Sequence, residues 1–168
     1  MLELRGYITN LGKYNEGFLI GEWVTFPIDE EEQKAVFERI GINAEYEEYF
    51  FTDYESELEL DLHEYTSINT LNEIAEKLQE WDEETLKAAC EVWSLSEVLD
   101  ENPDNYILLS NVNDNYDLGY YYAVECCCID FKENPILERY FDFDAYGRDI
   151  SFEVSGGFTD YGYIECIG

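Results

Sequence analysis

Between Arg39 and Lys77 the chain carries 11 acidic residues and no lysine or arginine, and between Lys87 and Lys132 another 9, again without a base. An acid with no base three or four positions away cannot join the ion pairs that stabilise helix surfaces. Most of these carboxylates must therefore stay in water, and the chain must draw its cohesion from other groups. It has them: 15 Tyr, 10 Phe and 3 Trp are spread among the acids. Disordered acidic chains are poor in aromatic residues, so the pattern predicts folded elements with solvated acidic faces. Over the 168 residues, 40 Asp and Glu stand against 9 Lys and Arg, a formal net charge of −31. Such a charge repels itself. It also excludes nucleic acid and anionic membranes as direct partners, because those are bound through Lys and Arg that displace counterions. The complement is a basic protein cleft or a cloud of cations.

Periodicity predicts an α+β chain of three small subdomains. Residues 1–62 read as β-rich, with strands over 2–10 and 18–26 joined by a hairpin loop from Gly12 to Gly17. Pro27 ends the second strand, and Asp29 caps a helix that runs to Gly41. A strand returns over 46–54. Leu58, Leu60 and Leu62 then alternate with Glu57, Glu59 and Asp61, a period of two with acids on one face. Residues 63–103 read as helical: Ile68, Leu71, Ile74, Ala75 and Leu78 recur at helical spacing, as do Leu86, Ala89, Cys90 and Trp93. Ser94 with Glu97 forms a capping box for a third helix. Residues 104–168 read as mixed, with a strand over 106–110, an aromatic helix over 114–126 and a short helix over 135–140. A hairpin is expected to join 150–154 to 161–167 around Gly156 and Gly157.

No catalytic constellation emerges, and no cofactor or metal is expected. His63, the single histidine, lies among acids and reads as a surface imidazole. The 111–117 run alternates oxygen ligands, but an EF-hand loop needs Gly at its sixth position and Glu at its twelfth, where this chain has Tyr116 and Tyr122. Forty acids make any one carboxylate pair uninformative as a glycosidase site. Cys90, Cys126, Cys127, Cys128 and Cys166 show no disulfide framework. The triple run is expected to lie in or beside the core as reduced thiols, which fits the cytoplasm. Residues 1–5 lack the apolar run of a signal peptide, and no stretch is long and apolar enough for a membrane span.

The candidate working surface is the acidic one. Along a strand, alternate residues on one face lie about 6–7 Å apart, so Glu55, Glu57, Glu59 and Asp61 can form a row. Glu73, Glu76, Glu80 and Glu83 can do the same on helices. The wider set comprises Glu22, Asp29, Glu30, Glu31, Glu32, Glu45, Glu47, Glu48, Asp53, Asp114, Asp117, Asp142, Asp144 and Asp149. A charge of −31 equals the phosphates of about 15 base pairs, the amount a DNA mimic needs.

Several blocks carry a resemblance. Residues 7–17, from Tyr7-Ile8-Thr9-Asn10-Leu11-Gly12 to Gly17, followed by Gly21-Glu22-Trp23-Val24-Thr25-Phe26-Pro27-Ile28-Asp29, resemble the opening of ArdA-type antirestriction proteins. The similarity continues at Glu45–Tyr49, Thr52–Glu55 and Glu64–Ile68, then at Asn115-Tyr116-Asp117 with Tyr120-Tyr121, and closes at Asp144-Ala145-Tyr146-Gly147-Arg148-Asp149. The resemblance implies a non-enzymatic inhibitor: an elongated homodimer of three subdomains that imitates bent DNA and occupies the DNA-binding groove of type I restriction–modification enzymes. It implies dimerisation through the C-terminal part, for which Tyr120, Tyr121, Tyr146 and Arg148 are candidates. The alternative reading is an acidic decoy of another basic DNA-binding protein, such as an anti-CRISPR or an inhibitor of a nucleoid protein. Cys126-Cys127-Cys128 is not part of the resemblance.

Overall fold

The computed structural model describes residues 2–133 and 135–168. The fold is α+β, and it divides into two compact units, Met1–Trp81 and Asp82–Gly168. The helical segment read over 63–103 is shared between them, α3 (Ile68–Glu80) in the first and α4 (Glu83–Val92) and α5 (Leu95–Asp100) in the second.

In the first unit β1 (Leu4–Asn10) is the centre of an antiparallel sheet ordered β2-β1-β3, with β2 (Gly21–Phe26) and β3 (Tyr49–Ser56) at its edges. The pairing is continuous from Leu4 against Phe26 to Thr9 against Gly21. Against β3 the register shifts between Tyr7 and Ile8, which leaves Thr52 as the extra residue of a bulge. One face of the sheet carries Leu4, Ile8, Val24, Phe26 and Phe51, all buried. The helix α2 (Glu30–Arg39) closes this core with Val36, followed by Ile40. Asp29 caps it as the sequence predicts, its carboxylate accepting from the Glu32 amide at 2.8 Å.

The expected hairpin loop holds a short helix instead, α1 (Leu11–Asn15). Asn10 explains why. It is fully buried, its side-chain oxygen caps α1 by accepting from Lys13 N at 3.0 Å, and its amide donates to the carbonyls of Ile40 and Gly41 at 3.2 Å. One side chain thus starts α1 and ties the end of α2 to the sheet. Of the predicted stripe in α3, Ile68, Leu71, Ala75 and Leu78 are buried and Ile74 is half-buried. Asn72 clasps Ile28, accepting from its N–H and donating to its C=O, both at 2.8 Å.

The alternation of residues 57–62 does not make a strand. The ladder stops at Ser56. Leu58, Leu60 and Leu62 are half-buried and Glu57, Glu59 and Asp61 exposed, so the pattern persists without a neighbouring strand to pair with.

The second unit is built on an antiparallel sheet ordered β4-β6-β5, comprising β4 (Tyr106–Leu109), β5 (Ser155–Thr159) and β6 (Gly162–Cys166). The helix α4 packs against it, and α5 carries the predicted capping box, with Ser94 and Glu97 bonding each other's backbone amides. Two expectations fail in this unit. Residues 150–153 are the end of a helix, α8 (Phe143–Glu153), and the two glycines lie inside β5 while the turn falls at 160–161. Position 157 suits a glycine because Val92 of α4 lies directly over it, with a methyl 2.9 Å from where a Cβ would be, closer than van der Waals contact.

The helix α8 owes its place to backbone contact. It crosses α6 (Asn115–Tyr120), which continues through a π-helical turn over Tyr121–Glu125. At the crossing Gly119 faces Gly147. A methyl on Gly119 would overlap the Phe143 carbonyl oxygen, and one on Gly147 would overlap that of Asn115. Around this crossing Leu118, Val112 and Tyr163 form one core, and Ala123, Phe131 and Phe143 another. The short helix α7 (Pro135–Glu138) precedes α8.

Candidate functional site

The acids named from the sequence fall into two groups by what their carboxylates do. The first group works within the fold. Asp29, Asp114 and Asp142 cap the helices that follow them, accepting amide hydrogens at 2.8–3.0 Å. Glu22 and Glu32 both hold Arg39, at 2.7 and 2.9 Å, and keep its guanidinium charged. Glu55 meets Arg5 across the sheet at 2.6 Å, Glu83 meets Lys87 at 2.8 Å, and Asp149 meets Arg148 at 3.1 Å. Asp117 accepts from the Asn113 amide and Asp53 from the Tyr54 amide.

The second group has no such duty. Among the described residues, no hydrogen bond or ion pair holds the carboxylates of Glu30, Glu31, Glu45, Glu47, Glu48, Glu59, Asp61, Glu73, Glu76, Glu80 or Asp144, and all are exposed. Glu57 is exposed as well. Glu73, Glu76 and Glu80 form one stripe on α3 opposite its buried face, with a length of about 10 Å at the helical rise. Asp53 and Glu55 point to the sheet face away from α2, opposite Tyr7 and Arg5 of β1. Arg5 there also lies 5.2 Å from the Trp23 ring centroid. Several of the few bases are thus spent inside the chain: Arg5, Lys13, Arg39, Lys87 and Arg148 all pair with its own acids.

Lys13 shows how such spending works. Its ammonium donates to the Tyr46 hydroxyl at 2.7 Å and to Glu16 at 3.0 Å, which raises its pKa, and Tyr46 in turn donates to Glu16 at 2.7 Å. Glu16 is held below the ordinary carboxylate range, first by Tyr46 and then by Lys13.

The remaining candidates are placed as follows. Tyr120 and Tyr146 are half-buried, with rings against Phe143 and Phe141, and Tyr121 packs edge-on to Tyr122. Arg148 is exposed beside Asp149. His63 is exposed, with its backbone bonded to Thr66 and Tyr54. The cysteine run corrects its expectation. Cys126, Cys127 and Cys128 are all exposed, because they form the turn that leaves the π-helical segment, with Cys127 at φ 55°. Cys90 and Cys166 are the half-buried thiols. Among the described residues no three His, Cys, Asp or Glu side chains converge as metal ligands would. No helix there is long and apolar enough to cross a membrane.

Glu165 escaped the sequence reading. It is 7% exposed in β6 and accepts a short hydrogen bond from the Tyr122 hydroxyl. Its strand alternation with Tyr163, itself fully buried, was the available signal. Burial first, and the Glu165 carboxylate second, push the Tyr122 phenol above its usual value of 10.0. The folded state therefore holds this proton more tightly than the unfolded chain does, and the stability it confers is fully present below pH 10.0 and lost as pH rises beyond it. Tyr122→Phe should cost about 1–2 kcal/mol near neutrality by leaving Glu165 without its donor. It should also shrink the alkaline loss of stability seen in urea unfolding at increasing pH. An unchanged alkaline limb would place that loss on other tyrosines.

The acids thus include an exposed set with no internal partner among the described residues, carried partly on α2, α3 and α8 and partly in the loops at residues 45–48 and 59–61. Comparison with curated proteins found no match. The family model described as antirestriction protein (ArdA) matches residues 6–165, nearly the whole chain. The chain belongs to the ArdA family of antirestriction proteins.

Proposed function

We propose that the chain blocks restriction by imitating DNA: it occupies the DNA-binding groove of a type I restriction–modification enzyme, acts as a cytoplasmic homodimer and catalyses no reaction. The observation that carries this reading is the set of exposed carboxylates that no group among the described residues neutralises, part of it on α2, α3 and α8 and part in the loops at residues 45–48 and 59–61. A carboxylate held on a strand or helix is a fixed negative charge, and a row of them meets Lys and Arg as phosphates do. The acids free of internal duty, with Glu57 in addition, serve as the mimicking charges, ten of them besides Glu57 in the first unit and Asp144 in the second. Those that cap helices or hold Arg39 and Arg5 shape it. In the second unit, Tyr140 at 82% and Phe152 at 81% exposure are apolar groups that a C-terminal dimer contact would cover, beside the Tyr120, Tyr121, Tyr146 and Arg148 region.

Mimicry makes the inhibition competitive. Adding a duplex that carries the enzyme's recognition sequence should raise the half-inhibitory concentration in proportion to the duplex. Because the groove releases its own bound anions on binding, affinity should fall steeply with salt, as it does for DNA. Inhibition that ignores duplex concentration, or persists unchanged in high salt, would sink the reading.

A further inference from the structure

Where the strand ends Asn10, Gly21 and Tyr49 meet, the first unit presents a fixed apolar tip. Phe18 is 59% exposed, Leu19 64% and Ile20 38%. Three such residues in sequence do not stay in water by accident of mobility, because the backbone pins them from both sides. Phe18 N–H donates to the Lys13 carbonyl, Gly17 N–H to that of Tyr14, and Asn10 N–H to that of Ile20, each at 2.9 Å. Tyr14 and Tyr65, also exposed, flank the buried Phe50, one ring edge-on at 5.1 Å and the other stacked at 6.2 Å.

The charges at this end of the sheet say what the tip can meet. The Leu11 amide donates to the Glu48 carbonyl and the Phe51 amide to that of Glu64, which brings these two acids to the same end as Glu16 and Glu47. Lys13 is already taken by Glu16 and Tyr46. An apolar patch rimmed by carboxylates repels nucleic acid and anionic lipid. A second copy would bring like charges face to face. A basic groove is complementary in both respects. Grooves that bind DNA carry apolar side chains beside their bases, which touch thymine methyls and wedge between base steps.

We infer that Phe18 and Leu19 form an apolar anchor that the DNA-binding groove of the target enzyme receives beside its cationic side chains, so that this mimic is held by more than charge. The inference rests on the mimicry proposed above and names a contact within it. Charge at a rim chiefly governs the rate of encounter, and a desolvated apolar centre governs the rate of escape. The two contributions therefore separate in a kinetic experiment.

The measurement is binding of the full-length protein to an immobilised type I enzyme over a range of salt concentrations. Phe18→Ser with Leu19→Ser should dissociate about 10-fold faster or more, with an unchanged association rate and an unchanged slope of log affinity against log salt. Glu47→Gln with Glu48→Gln should do the reverse, with slower association and a shallower slope. Phe18→Met with Leu19→Met keeps the apolar area and should restore the wild-type off-rate. The serine pair projects into solvent and should melt with the wild type, which removes misfolding as an explanation. A wild-type off-rate in the serine variant overturns the anchor. So does a change in the oligomeric state of the free protein, which would assign the patch to a second copy. A wild-type protein that does not bind the enzyme sinks mimicry and the anchor together, whereas tight wild-type binding with an unaffected serine variant sinks the anchor alone.

Discussion

Gly147→Ala should leave the second unit unable to reach its native packing, at a cost above about 4 kcal/mol. The crossing of α6 and α8 is the reason. Gly119 and Gly147 let two backbones touch, and a methyl at position 147 would occupy the space of the Asn115 carbonyl oxygen. That neighbour is backbone inside a helix, so it cannot rotate away as a side chain would. Relief requires α8 to lift off α6. Phe143 on α8 would then leave Ala123 and Phe131, and Ile150 and Val154 would leave Leu118 and Tyr163. Gly119→Ala should behave alike, because its methyl would strike the Phe143 carbonyl from the other side. Urea unfolding followed by tryptophan fluorescence gives the check, since Trp93 packs on Tyr106 in this unit while Trp23 reports on the first sheet. Variants that unfold within about 1 kcal/mol of the wild type would show that the helices do not meet so closely.

Neutralising Glu45, Glu47, Glu48, Glu59 and Asp61 together, as Gln and Asn, should reduce inhibition by about 100-fold or more. The formal charge moves only from −31 to −26. The positions matter more, because each is exposed and has no partner among the described residues. Each carboxylate that replaces a phosphate contributes up to about 0.9 to the slope of log affinity against log salt, so the variant should show a flatter slope as well as weaker binding. The free protein should become more stable, since five mutually repelling charges are gone. Weaker inhibition by a better-folded protein is a combination that misfolding cannot produce. Replacing Asp29, Asp114 and Asp142 by Ala, and Glu22 and Glu55 by Gln, should destabilise instead, because those groups cap helices or hold Arg39 and Arg5. If the first set leaves both inhibition and its salt slope intact, those acids do not face the target.

Local chemistry was legible in the sequence, and partnerships over distance were not. Asp29, Asp114 and the Ser94–Glu97 box announce their helices within four residues, and the α3 stripe follows from its spacing. The short α1 was hidden because Asn10, which caps it, is held by the end of α2 some 30 positions on. The end of α8 reads as a strand, being rich in Ile, Phe and Val, until Gly119 of another helix decides otherwise. Residues 57–62 alternate as a strand does, yet no ladder forms, because the ladder needs a neighbour that the local pattern does not encode. The acids show the same division. Their number is plain from the sequence. Which of them are engaged is not, since Arg5 finds Glu55 across 50 residues and Glu22 finds Arg39 across 17.

The stretch that follows the end of the ladder at Ser56 bears on how such a chain survives its own concentration. A segment outside the ladder whose sequence alternates as a strand does invites a second chain to add a strand should it straighten, and Leu58, Leu60 and Leu62 would supply such an assembly with a dry face. Glu57, Glu59 and Asp61 stand at the alternate positions, so a like chain in register must bring carboxylate against carboxylate. Such repulsion acts as a gatekeeper against fibre growth. If the same acids meet a basic groove as proposed, substitutions that weaken that contact would also remove this protection against fibre growth.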